Sequence, residues 1–122
     1  MEDARIWEME EKLWHGGAEV YEELVDHDCV MALPAEPFVF SREAAIRAVE
    51  NTPRWETVQF DKQQVVRPQE GLIAIGYRVR ASRGEESYEA YCTSTTRRLE
   101  HDVWRVVQHS QVVPLKTSGS KG

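Results

Sequence analysis

Apolar residues recur at helical spacing over much of the first fifty positions and without it over most of the rest. Between residues 3 and 15, Ile6, Met9 and Leu13 share one stripe with Trp7 and Trp14 beside it, while Glu8, Glu10, Glu11 and Lys12 fill the opposite side. That pattern predicts an amphipathic helix with its acidic side in water. Gly16 and Gly17 stop it, because glycine ends helices and accepts the left-handed backbone of a helix terminus. A second helix restarts at once, with Val20, Tyr21, Leu24 and Val25 inward and Glu19, Glu22 and Glu23 outward. The short apolar run Cys29 to Leu33, stopped by Pro34, predicts a brief strand, and Pro34 and Pro37 mark a loop. Ser41, with Glu43 in the turn that follows, has the chemistry of a helix cap. The third helix that it opens ends before Pro53.

From Trp55 onward β-branched and aromatic residues dominate: Thr57, Val58, Phe60, Val65 and Val66, then the run LIAIGYRVRA. Turn residues at Pro68 to Gly71, Ser82 to Gly84 and Glu100 to Asp102 divide this half into four strands. Strands joined by short turns pair antiparallel. Helices followed by a long meander predict an α+β domain over residues 1–115, in which the sheet curls, the helices close one face and a cavity is left between them. The last segment, KTSGSKG at 116–122, reads as a flexible polar tail.

The 122 residues suffice for one domain that folds without a metal or a disulfide. A net charge of −6 argues against nucleic acid, whose phosphates need a concentrated basic face. The N-terminus lacks the basic start and apolar run of a secretory signal, and no stretch of about 18 apolar residues exists for a membrane span, so a cytoplasmic location is expected. Cys29 and Cys92 form no ligand cluster and read as reduced core residues. No metal or cofactor is expected.

Candidate chemistry centres on four histidines. His15 and His101 lie at a helix end and in a turn, both facing solvent. His27 is flanked by Asp26 and Asp28 ahead of the first strand, where two loop carboxylates are too few to imply a cation. His109 stands in the last strand, VWRVVQHSQVV, where strict alternation puts Arg105, His109 and Gln111 on one face against Trp104, Gln108 and Ser110. A bulge would shift that register, so a structural histidine, a cavity contact and a general base all stay open. In the strand over 72–81, Ile73, Ile75, Tyr77, Val79 and Ala81 share one face and Arg78 and Arg80 the other; if the arginine face is the outer one they are solvated or pair with glutamates, and if it lines the cavity an anionic ligand follows. Trp14, Trp55, Tyr88 and Tyr91 form either an aromatic wall or part of the core. No GxSxG, no Cys beside a His and no phosphate-binding glycine loop is present.

The segments LWHGGAEVYEEL, DHDCVMALP, SREAAI, PRW, YRVRASRG and WRVVQHSQVV, in this order and spacing, resemble the nuclear transport factor 2-like superfamily, nearest its polyketide-cyclase-like (SnoaL-like) bacterial domains of unknown function. The resemblance covers residues 5 to 114. It implies a cone-shaped curved antiparallel sheet wrapped round the N-terminal helices, and a homodimer formed through the sheet. Where the superfamily's steroid isomerases hold a catalytic carboxylate, this chain has Leu33, and their oxyanion-hole positions fall near Met9 and Thr93. Cyclase-like and dehydratase-like relatives use a His with an Asp partner as base. Three functions follow as expectations. The first is noncatalytic binding of a small, partly apolar molecule by Trp14, Met31, Trp55, Tyr77, Tyr91, His109 and Gln111. The second is an isomerase, cyclase or dehydratase with His109 as base, assisted by Asp26 or Asp28. The third is a dimerisation or assembly module.

Overall fold

The computed structural model describes residues 1–115, so the expected tail at 116–122 lies outside the described residues. Helix α1 runs Asp3–His15, α2 Ala18–Leu24 and α3 Arg42–Glu50, and the strands are β1 Val25–Ala32, β2 Val39–Ser41, β3 Thr57–Gln69, β4 Leu72–Arg83, β5 Glu86–Arg98 and β6 Trp104–Val112. They form one unclosed sheet in the order β2-β1-β6-β5-β4-β3. β3 to β6 pair antiparallel as expected, whereas β1 lies parallel to β6, so the sheet is mixed. Six strands and three helices thus make the α+β cone.

Local chemistry explains several boundaries. Ser41 accepts a hydrogen bond from the Ala44 amide and caps α3. Gly16 ends α1 for want of space, not for want of a left-handed backbone. Its φ is −84°, and a Cβ there would meet the Lys12 carbonyl at 2.7 Å and Val20 Cγ2 at 2.5 Å. β1 begins at Val25, earlier than the apolar run suggested, and takes in Asp26, His27 and Asp28. These three residues have no partners in β6: they fall in an irregularity between Val25 and Val30, flanked by residues that do pair with it. β2 was hidden in the cap-flanking PheValPhe, too short to show a period of its own.

Two apolar clusters fill the concave side. One packs Ile6 and Trp14 of α1 on Ile73, Ile75, Tyr77 and Val79 of β4, with Ala90, Cys92 and Trp104. The other joins Leu13, Tyr21, Val25, Met31, Phe40, Ala45, Val49 and Val106 beneath α2 and α3. The alternation read in β4 holds: Arg78 points outward and is clamped by Asp61 at 2.7 and 2.5 Å, with Arg80 at 3.4 Å from the same carboxylate. Burial, reinforced by the Glu10 charge, pushes the Cys92 thiol up to about 12. Burial and the Asp26 charge push that of Cys29 to about 11. Both stay protonated and unreactive near neutral pH.

Candidate functional site

One residue in α1 departs from the expected pattern. Glu10 is not on the solvent side but only 2 % exposed. The inward stripe of α1 runs Ile6, Glu10, Leu13 and Trp14, a spacing of four, three and one, and passes through the carboxylate. Such a charge is tolerated inside a fold only when hydrogen bonds satisfy it. Here Ser94 of β5 donates to Oε2 at 2.6 Å and Tyr77 of β4 donates to the same oxygen. Trp14 Nε1 in turn donates to the Tyr77 hydroxyl at 2.9 Å. His109 Nδ1 lies 2.7 Å from Ser94 Oγ and 3.5 Å from Glu10 Oε2.

β6 brings His109 to this point through a bulge. Thr95 pairs with Gln108 but Thr96 pairs with Val106, leaving Val107 without a partner. The extra residue turns the strand by one position. Trp104 and Val106 face inward before it, and His109 and Gln111 after it. Arg105, expected beside His109, stands on the other side of the shift and reaches the Glu23 carbonyl. Gln108 and Ser110 face outward onto Thr93 and Thr95.

On its other side His109 borders a cavity of about 260 Å³. The aromatic part of its wall is Trp14, Tyr21, Trp55 and Tyr88, with Trp55 and Tyr88 stacked at 5.5 Å and 13°. Leu33, Phe40, Ala45 and Val49 add apolar surface, and Arg54, His109 and Gln111 supply polar groups. Tyr88 donates to Gln111 Oε1 at 2.8 Å, and Gln111 Nε2 meets His109 Nε2 at 3.1 Å. Burial, the larger cause, and the neighbouring Cys92 thiol push the Tyr88 hydroxyl up to about 12, so it remains a donor.

Donor and acceptor bookkeeping then fixes the proton positions, which are assigned from the network. Ser94 donates to Glu10, so its oxygen accepts from Nδ1–H of His109. Nε2 is then left as the acceptor on the cavity side. It accepts from Gln111 Nε2, whose Oε1 accepts from Tyr88. Burial raises the Glu10 carboxyl, but its hydrogen bonds with His109, Ser94 and Tyr77 and the attraction of a His109 charge outweigh burial and hold it below its ordinary 4.5. The arrangement is a histidine backed by an ionised carboxylate and open on its far side.

Of the residues expected at the site, the structure brings together Trp14, Trp55, His109 and Gln111. Tyr77 instead lies behind the cavity wall, its hydroxyl committed to Glu10 and Trp14. Met31 is core, packed beneath α3. Tyr91 is 41 % exposed on the outer face, opposite Arg78 and Val112. Tyr88 and Tyr91 are three apart in one strand and so cannot share a face. Asp26 is held by Arg97 at 2.8 and 2.9 Å and Asp28 points to solvent, so the carboxylate beside His109 is Glu10 and neither of these. Helical spacing across Ile6 and Leu13 was the signal that could have found Glu10, and its acidity masked it. Among the described residues no group of His, Cys, Asp and Glu is placed to hold a metal, and no helix is long and apolar enough to cross a membrane.

No family model and no curated protein matches the sequence. Solved structures do match the fold. A protein provisionally assigned as a ketosteroid isomerase from Parabacteroides distasonis aligns with a TM-score of 0.76 at 16% identity, covering 89% of this chain and 85% of that one. An NTF2-like protein of unknown function in nutrient uptake from Rhodospirillum rubrum gives 0.76 at 16% identity over 93% and 100%. The association domain of C. elegans CaMKII gives 0.75 at 11% identity over 90% and 92%. The order of elements, the curved unclosed sheet and these neighbours together make the chain an NTF2-like α+β cone.

Proposed function

We propose that the cone cavity binds a small, partly apolar molecule whose polar end meets His109 and Gln111. The supporting observation is that these two side chains border an apolar, aromatic-walled chamber of about 260 Å³ rather than solvent or a partner strand. That volume lies just under the roughly 300–1,000 Å³ of pockets for drug-sized ligands, so the ligand is small. A thermal-shift screen of one- and two-ring aromatics should give compounds that raise the melting temperature of the protein. Gln111→Leu should weaken those hits about tenfold, the value of one well-made hydrogen bond. If no compound stabilises the wild type, or if Gln111→Leu binds the hits unchanged, the reading fails.

A second reading, acid–base catalysis, is favoured by the carboxylate behind His109. Glu10, acting through Ser94, orients the imidazole and stabilises its protonated form, which is what a general base needs while it holds a substrate proton. A bound ketone with an acidic C–H would exchange that hydrogen with D2O, and His109→Ala would stop the exchange. Equal exchange rates in wild type and variant would leave binding without catalysis.

For the homodimer we propose the outer face of β5 and β6, where Tyr91 lies opposite Val112, itself 63 % exposed. Tyr91→Glu should then convert a sedimenting dimer to monomer. A wild type that sediments as a monomer at high concentration contradicts this.

A further inference from the structure

We infer that the molecule this cavity accepts is an anion, a flat aromatic carboxylate, with Arg54 as the residue that selects it. The inference rests on the cavity being a binding site and adds the charge of its ligand. Arg54 follows α3 at the cavity wall, and two of its guanidinium nitrogens are already fixed. Nε donates to the Gly16 carbonyl at 2.7 Å and Nη2 to the Leu13 carbonyl at 2.6 Å, both at the C-terminal end of α1. These bonds hold the guanidinium plane in place, and their acceptors are neutral carbonyls carrying only the fractional negative charge of a helix end. Nη1 has no hydrogen-bond partner among the described residues.

Arg42 and Arg105 also donate to backbone carbonyls, but neither lines this cavity, and most other arginines are neutralised by side chains. Arg5, Arg67, Arg78, Arg83 and Arg97 each meet an Asp or Glu side chain within 3.1 Å. The chain carries 21 acidic residues against 15 Lys and Arg, yet no Asp or Glu lines this cavity. Glu10 comes nearest in the network, but it sits behind His109 with Oε2 taken by Tyr77 and Ser94. A guanidinium that is oriented, half-buried and without a carboxylate favours an anionic oxygen pair from outside, because charge-assisted bonds to a planar carboxylate are stronger than neutral ones. The stacked Trp55 and Tyr88 with Trp14 close by, at 6.1 Å from Tyr88, offer flat faces that suit a ring.

Calorimetric titration of the wild type with naphthalene-2-carboxylate, its carboxamide and 2-naphthylmethylammonium tests the idea. The carboxylate should bind at least about tenfold more tightly than the amide, and the ammonium most weakly. Arg54→Gln should bring the carboxylate-to-amide ratio close to one, while Arg54→Lys keeps a preference for the carboxylate. Since Arg54 also tethers the end of α1, circular dichroism must show that the variants are folded; if Arg54→Gln is not, the wild-type ratio alone decides. An amide that binds as well as the carboxylate overturns the anion inference and leaves the cavity reading intact. Failure of all three compounds to bind, together with a silent thermal-shift screen, overturns both.

Discussion

Glu10→Ala should lower the stability of the fold by about 3–5 kcal/mol, the cost of breaking a buried hydrogen-bonded charge network by removing one member. In a domain of this length that is a fall in melting temperature of about 10–20 °C. The size follows from what is orphaned. The hydroxyls of Tyr77 and Ser94 both donate to one carboxylate oxygen, and His109, which donates to Ser94, lies 3.5 Å from the same oxygen. Glu10→Gln keeps the shape and one acceptor oxygen but places two N–H donors among donors, so about 1–3 kcal/mol should be lost. The pH dependence carries the same signature. A carboxyl whose folded value is depressed below 4.5 contributes stability that is fully present above about pH 4.5 and is lost as pH falls through the folded value. Wild-type stability should therefore decline on acidification below pH 4.5, and Glu10→Gln should flatten that part of the curve. Thermal melts of the three proteins from pH 7 down to pH 3 make the comparison. A wild type no more stable than Glu10→Ala at pH 7 contradicts the network.

The cost of burying Glu10 also says something about its purpose. An apolar residue at that position of α1 would meet the same core with no desolvation penalty. The carboxylate is instead aimed at the one histidine that borders the cavity, which is the arrangement the proposed binding and acid–base readings both use.

What the sequence disclosed depended on how local the physics was. The three helices and the four-strand meander were legible because periodicity, Ser41 and the turn residues act over a few positions. β2 was not, because three residues are too few to show a period, and the parallel placement of β1 was not, because it depends on β6 arriving from the far end of the chain. The site was half legible. Trp14, Trp55, His109 and Gln111 were named from residue type, but alternation alone put Arg105 beside His109, and only the pairing of β5 with β6 discloses the unpartnered Val107. Glu10 was missed because its acidity outweighed its spacing. A carboxylate is assigned to solvent by default, and the Ser94, Tyr77 and His109 side chains that pay for its burial lie 67 or more residues away.

Trp14→Ala is the second large change expected. Trp14 is 3 % exposed, packs near Tyr88 and His109 at 6.1 Å each and donates its N–H to Tyr77. Removing so large a buried side chain costs about 3–5 kcal/mol through lost burial and the void left behind. Two features set where in that range it falls. The space vacated is continuous with the cavity, so it need not stay an empty sealed void, which moves the loss toward about 3 kcal/mol. Against this, the Tyr77 hydroxyl loses its donor, and that part alone is isolated by Trp14→Phe, which should cost about 1–2 kcal/mol with most of the packing retained. Indole should distinguish the contributions. In Trp14→Ala the enlarged chamber matches the missing side chain, so millimolar indole should recover part of the lost stability by mass action, while leaving Trp14→Phe unaffected. Recovery in the truncated protein alone would make Trp14 the partition between core and cavity. A loss below about 1 kcal/mol in Trp14→Ala, or equal stabilisation of both variants by indole, would be incompatible with that position.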